Sequence, residues 1–233
     1  VADMDFVSPE PVIQALHERV AQGIFGYPSI HEAPGGLPEV LVERMERLYG
    51  WQITPEDLLF IPGVVTGLNL ACQALAEPGG GVLIQTPVYM PFLRLASNAG
   101  MATQEMELSQ GSDGNYHVNW QKFEDAFDEH TRLFVLCNPH NPVGRVYRRA
   151  ELERMAEICL RKGAVICSDE IHCDLLFSGN KHIPIASLDP EIAQNTITLM
   201  APSKTFNIAG LQCSFAIVQN AELRDKLKHA GKG

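Results

Sequence analysis

Apolar positions along the chain follow two rhythms that exchange with one another. Behind Ser8-Pro9, which reads as an N-cap with a proline in the first turn, Val12, Ala15, Leu16 and Val20 recur at helical spacing and predict a first helix. The stretch from Gly23 to Gly36, with four glycines, two prolines and two aromatics, has no period and predicts a loop. Leu37, Val40, Leu41, Met45 and Leu48 restore the helical spacing. From Leu58 onward short apolar runs predict strands: Leu58-Ile61, Val82-Gln85, Leu133-Cys137, Ala164-Ser168, Thr196-Met200 and Ser214-Val218. Amphipathic stretches at Leu68-Leu75, Tyr89-Ala96 and Leu152-Cys159 lie between them, and Asp113-Gly114-Asn115 reads as a turn. This alternation predicts an α/β protein whose mostly parallel sheet is sandwiched by helices.

Composition narrows the functional classes. With 233 residues, 45% of them apolar, the chain can bury one large core or two modest ones. A formal net charge of -10 argues against a nucleic-acid surface, which needs clustered cations, yet it leaves room for one locally bound phosphate. No apolar run approaches the roughly 20 residues of a membrane span, and Val1 to Phe6 carry two aspartates and no basic region. The expectation is a cytoplasmic protein with neither membrane nor nucleic-acid partner. Six cysteines without a C-x-x-C pair are read as structural thiols. The opening on Val1 and the helical pattern of Leu223 and Leu227 near the end lead to the expectation that the chain is part of a longer one.

In such sheets chemistry collects at the carboxyl ends of strands. After Leu58-Ile61 comes Pro62-Gly63-Val64-Val65-Thr66-Gly67, a turn that delivers backbone N–H groups at a helix start; it suits a phosphate, and it is also a common helix entry. No dinucleotide or nucleoside-triphosphate motif is present. After Leu133-Cys137 comes Asn138-Pro139-His140-Asn141-Pro142-Val143-Gly144, where Asn141 is either an aimed amide or a turn cap. Ser168-Asp169-Glu170-Ile171-His172 places two carboxylates and an imidazole at the end of an apolar strand; Asp169 reads as functional, Glu170 as functional or as the partner of a dipole or basic side chain. Beyond Thr196-Met200, Ser203-Lys204-Thr205-Phe206 sets a lysine among small and apolar residues, where it is either a desolvated nucleophile or a side chain that reaches to solvent.

Taken together and in this order, Asn-Pro-x-Asn-Pro-x-Gly, Asp-Glu and Ser-Lys-Thr-Phe resemble the pyridoxal-5'-phosphate (PLP) enzymes of fold type I, the aminotransferase class I/II superfamily. The segments Val1-Ala2-Asp3-Met4-Asp5-Phe6, Gly26-Tyr27, Thr86-Pro87-Val88-Tyr89, Ser168-Asp169-Glu170-Ile171-His172 and Ser203-Lys204-Thr205-Phe206-Asn207-Ile208 resemble its MalY/PatB group of carbon-sulfur β-lyases. The resemblance implies an N-terminal segment and helix over 1–26 and a PLP-binding large domain over 27–233, with the C-terminal small domain expected to be absent. It implies that Lys204 bears the cofactor and takes the substrate Cα proton, that Asp169 faces the pyridine nitrogen, and that Asn141 donates to the phenolic oxygen. It further implies stacking by Tyr89, phosphate binding by the amides of Val64 and Val65 and the hydroxyl of Ser203, and His172 near the phenolic oxygen. Tyr27 would reach the phosphate of a partner chain, which implies a homodimer acting on a small amino-acid substrate.

Two departures stand out. Gln212 occupies the position, eight after the lysine, where many members carry a phosphate-binding arginine. The arginine that grips the substrate carboxylate belongs in this superfamily to the C-terminal small domain. Three functions therefore stand side by side: a β-lyase for cystathionine or cysteine-type amino acids, an aminotransferase using the same residues, and a catalytically incomplete PLP-binding or interaction module.

Overall fold

The computed structural model describes residues 3–26 and 36–232. Nine strands are formed among them: β1 Leu58–Ile61, β2 Gly81–Thr86, β3 Ala102–Glu107, β4 Ser109–Gln110, β5 Tyr116–His117, β6 Thr131–Cys137, β7 Val165–Asp169, β8 Thr196–Met200 and β9 Ser214–Ile217. Seven of these make one sheet in the order β1-β9-β8-β7-β6-β2-β3, while β4 and β5 form a small hairpin closed by the turn at Gly114. The β3-β2-β6-β7-β8 ladder is parallel throughout, and β9 runs antiparallel to both β8 and β1. The predicted strands all form, within a residue or two of the predicted bounds.

The helices are α1 Glu10–Gln22, α2 Leu37–Tyr49, α3 Val64–Ala74, α4 Leu95–Asn98, α5 Trp120–Asp125, α6 Arg149–Lys162, α7 Pro190–Gln194 and α8 Ala221–Ala230. The first differs from expectation at its start. Pro9 is the N-cap and no side chain caps it, because the Ser8 hydroxyl instead donates to the Asn207 carbonyl at 2.9 Å. The predicted amphipathic stretch at Tyr89-Ala96 folds as a 3₁₀ turn over Met90–Arg94 running into the short α4.

The inner strands are buried on both faces, as parallel strands covered by helices must be. On one face Leu68, Ala71, Cys72, Leu95, Leu223 and Leu227 from α3, α4 and α8 cover Val82, Ile84, Val135, Cys167 and Leu199. On the other, Leu152, Met155, Ala156 and Cys159 of α6 cover Leu83, Phe134, Leu136 and Ile166. Each fully buried Leu, Ile or Phe contributes about 1.5–3 kcal/mol. Five of the six cysteines are buried, and all six are free thiols. Among the described residues no helix is long and apolar enough to cross a membrane.

One close contact decides where α3 sits. A methyl group on Gly67 would lie 2.8 Å from Cδ2 and 3.1 Å from Cδ1 of Leu199, so only glycine lets the first turn of α3 press this tightly on β8. That seating carries the helix N-terminus to the carboxyl end of the sheet.

Candidate active site

The loops after β1, β6, β7 and β8 converge there on a cavity of about 820 Å³, within the size range of small-molecule sites. It is lined by Val64, Val65, Tyr89, Asn141, Asp169, His172, Ser203 and Lys204, which gathers the sequence-predicted site residues into one space. Tyr27 lies outside the described residues. Thr66, Cys137, Ile171, Ala201, Gln212 and Cys213 complete much of the wall without having been singled out for the site, apart from Gln212 as a departure.

At one end stands the N-terminus of α3. Its N-cap Gly63 is extended and offers no capping side chain, so the first-turn amides point into the cavity region with the positive end of the helix dipole behind them. A helix start of this kind suits an anion. Across the cavity, Asp169 at the end of β7 is 6% exposed and accepts one backbone hydrogen bond, from Ile171 N at 3.1 Å. Burial pushes its carboxyl up to about 7, the Ile171 amide opposes this, and the neighbouring Glu170 charge adds to it. A carboxylate in this setting is stabilised by a cation placed against it. Burial and the adjoining Lys204 hold the His172 imidazole below its ordinary value.

A buried network holds the β2 and β6 loops together. The His140 Nε2 donates to the Pro87 carbonyl at 2.9 Å, and its Nδ1 lies 3.1 Å from the oxygen of the Tyr147 hydroxyl. That hydroxyl also meets the Gln85 side chain at 2.9 Å. Burial lowers His140 to about 4, so it stays neutral, and the Pro87 carbonyl places its one proton on Nε2. The network thereby ties Pro87, two residues before Tyr89, to His140, one before Asn141. Gly144 N donating to His140 O at 2.8 Å and Asn141 N donating to Cys137 Sγ at 3.4 Å close the turn.

Alternation at the end of β7 sends Asp169 and the Glu170 that follows it to opposite faces. Asp169 enters the cavity, whereas Glu170 is fully buried behind the sheet and accepts from Ser168 Oγ at 2.9 Å, Ile185 N at 3.2 Å and His182 Nε2 at 2.7 Å. Of the alternatives for Glu170, the basic-side-chain partner is the one formed. Sequence reasoning missed His140, Tyr147 and His182; the available signals were a lone Gln85 ending an apolar run and a histidine set between two prolines.

The donor set fits PLP: an uncapped helix start for a phosphate, a cation-seeking carboxylate for a ring nitrogen, a lysine lining the same cavity, and an aromatic face in Tyr89. Comparison with known proteins agrees. The family model described as aminotransferase class I and II matches residues 2–232. Cystathionine beta-lyase PatB of Bacillus subtilis is 43% identical over 231 residues, covering 99% of this chain and 57% of that protein. The crystal structure of OvoB superposes with a TM-score of 0.94 at 45% identity, over 100% of this chain and 61% of that one. Cystalysin from Treponema denticola, whose structure contains a pyridoxal 5'-phosphate cofactor, gives 0.93 at 35% identity, over 99% and 58%. The chain thus spans about three fifths of the length of these relatives.

Proposed function

Because the chain belongs to the aminotransferase class I and II family, we propose that it forms the PLP site of a carbon-sulfur β-lyase acting on cystathionine or cysteine-type amino acids. The observation that carries the reading is the convergence of Lys204, Asp169, Asn141 and the α3 N-terminus on one cavity, in a chain 43% identical to a cystathionine β-lyase.

Each residue then has a task set by its place. The Val64 and Val65 amides, with the Ser203 hydroxyl, hold the phosphate, while the α3 dipole compensates its charge in place of the arginine that Gln212 replaces. Asp169, ionised, would pair with the ring nitrogen and keep it protonated. Asn141 would donate to the phenolic oxygen, with His172 near that oxygen and Tyr89 against the ring face. When bound, the cofactor supplies an electron sink that acidifies the substrate Cα–H and allows the bond from Cβ to sulfur to break. Lys204 would hold the cofactor, and its Nζ is the group that would take the Cα proton and return a proton to the departing sulfur. Overall, substrate and water give a thiol, ammonia and pyruvate. The partner proposed for Tyr27 is a second copy of the chain.

The test is to incubate the PLP-loaded protein, as this chain and as any longer form containing it, with cystathionine and with cysteine, following pyruvate and thiol together. Equimolar pyruvate and thiol support the lyase. Amino transfer to an added keto acid without pyruvate would make it an aminotransferase. A protein that binds PLP and turns over neither would be a binding module.

A further inference from the structure

Behind the lysine loop lies a charged contact that the proposed chemistry does not use. Asp174, five residues beyond Asp169, takes the Arg44 Nη2 of α2 at 2.7 Å to each of its two oxygens, and its Oδ2 also accepts from the Thr205 hydroxyl at 2.7 Å. The Arg44 and Asp174 side chains keep 27% and 23% exposure, and it is the two-pronged geometry that restrains the pair. Thr205 directly follows Lys204. Ser203 and Lys204 line the cavity, whereas Thr205 reaches away from it to Asp174.

The two loops joined by this contact are those that carry the opposed chemical groups. Asp174 belongs to the turn after β7, closed by Cys173 N donating to Glu170 O and Leu175 N donating to His172 O. Thr205 belongs to the turn after β8, closed by Phe206 N donating to Pro202 O at 2.9 Å and Ile208 N donating to Ser203 O at 3.0 Å. We propose that Asp174, held by Arg44, is a positioning residue for Lys204: through the Thr205 hydroxyl it sets the lysine loop against the loop bearing Asp169 and His172. The inference rests on Lys204 being the cofactor lysine.

The experiment uses PLP itself as the probe and reads the borohydride-sensitive absorption band against PLP concentration in the parent chain, Thr205→Val, Thr205→Ser, Asp174→Ala and the Asp174→Ala/Thr205→Val pair. Valine keeps the shape of threonine and removes only the donor. Loss of one charge-assisted hydrogen bond corresponds to roughly ten- to hundredfold in an equilibrium constant. Thr205→Val and Asp174→Ala are each expected to need at least about tenfold more PLP for half-maximal signal and to move the pH midpoint of the band. Thr205→Ser should stay within about twofold of the parent, and adding Thr205→Val to Asp174→Ala should change nothing further. The thermal midpoint of apo Thr205→Val should fall by no more than a few degrees. The proposal is overturned by a Thr205→Val protein that binds like the parent, by effects that simply multiply in the pair, or by a Thr205→Ser protein that fails as Thr205→Val does. Lys204→Ala separates the two levels of the argument: a band that survives it would remove the cofactor reading, and the positioning role with it.

Discussion

Replacing Asp169 by asparagine should make the cofactor-free protein more stable at alkaline pH while impairing it with cofactor. The buried carboxyl holds its proton up to about 7, against an ordinary value of 3.8. Between these values the folded protein binds more protons than the unfolded chain, so this group lowers stability as pH rises from about 4 to about 7, and the full penalty persists above. At roughly 1.4 kcal/mol per pH unit the ceiling is about 4 kcal/mol; relaxation and water entering the open cavity reduce it to about 2–4 kcal/mol. The asparagine side chain of the Asp169→Asn protein can still accept from Ile171 N but carries no charge. His140, lowered to about 4, contributes a stability change of opposite sign over the window from about 4 to its ordinary 6.5, and the difference between the two proteins cancels it. Urea denaturation of both apo proteins from about pH 4 to 8.5 should show curves that coincide near pH 4 and separate by about 2–4 kcal/mol near pH 8 in favour of Asp169→Asn. Saturating PLP should reverse the order, since a ring cation relieves the buried charge and binding adds its own stabilisation. A constant difference across the whole pH range would refute the reasoning.

Three further outcomes follow from the same contacts. Glu170→Ala strips Ser168, Ile185 and His182 of a shared acceptor, so denaturant titration should show a loss of about 3–5 kcal/mol; less than about 1 would contradict the role assigned to Glu170 behind the sheet. Gly67→Ala forces α3 from Leu199, and should destabilise by about 1–3 kcal/mol and weaken PLP binding measured by fluorescence quenching; unchanged binding would show that the seating of α3 does not set the phosphate site. Tyr147→Phe removes the hydroxyl between His140 and Gln85 and should cost about 1–3 kcal/mol of stability by thermal unfolding, whereas a neutral result would mean that the network adds nothing there.

The parallel strands were legible because burial on both faces leaves continuous apolar runs such as Leu133-Cys137. Strand β3 was missed for the converse reason: at the sheet edge only Met106 of Ala102–Glu107 is buried, and its sequence is polar without clean alternation. The cavity-lining residues could be read because each follows a strand end directly, where this topology concentrates chemistry. What lies behind them could not be read. Glu170 meets His182 across 12 residues and Arg44 meets Asp174 across 130, and such pairings depend on how loops fold rather than on local pattern. Ser8 illustrates the limit within a single turn, since a sound capping signal lost its hydroxyl to Asn207, 199 residues away.

The central claim is that Lys204 carries the cofactor opposite Asp169. Reducing the PLP-loaded chain with borohydride, digesting it and mapping the modified peptide by mass spectrometry tests this most directly. The account predicts a single reduced PLP adduct on Lys204, absent in Lys204→Ala; an adduct on another lysine such as Lys181, or an unmodified Lys204 in a chain saturated with PLP, would contradict it.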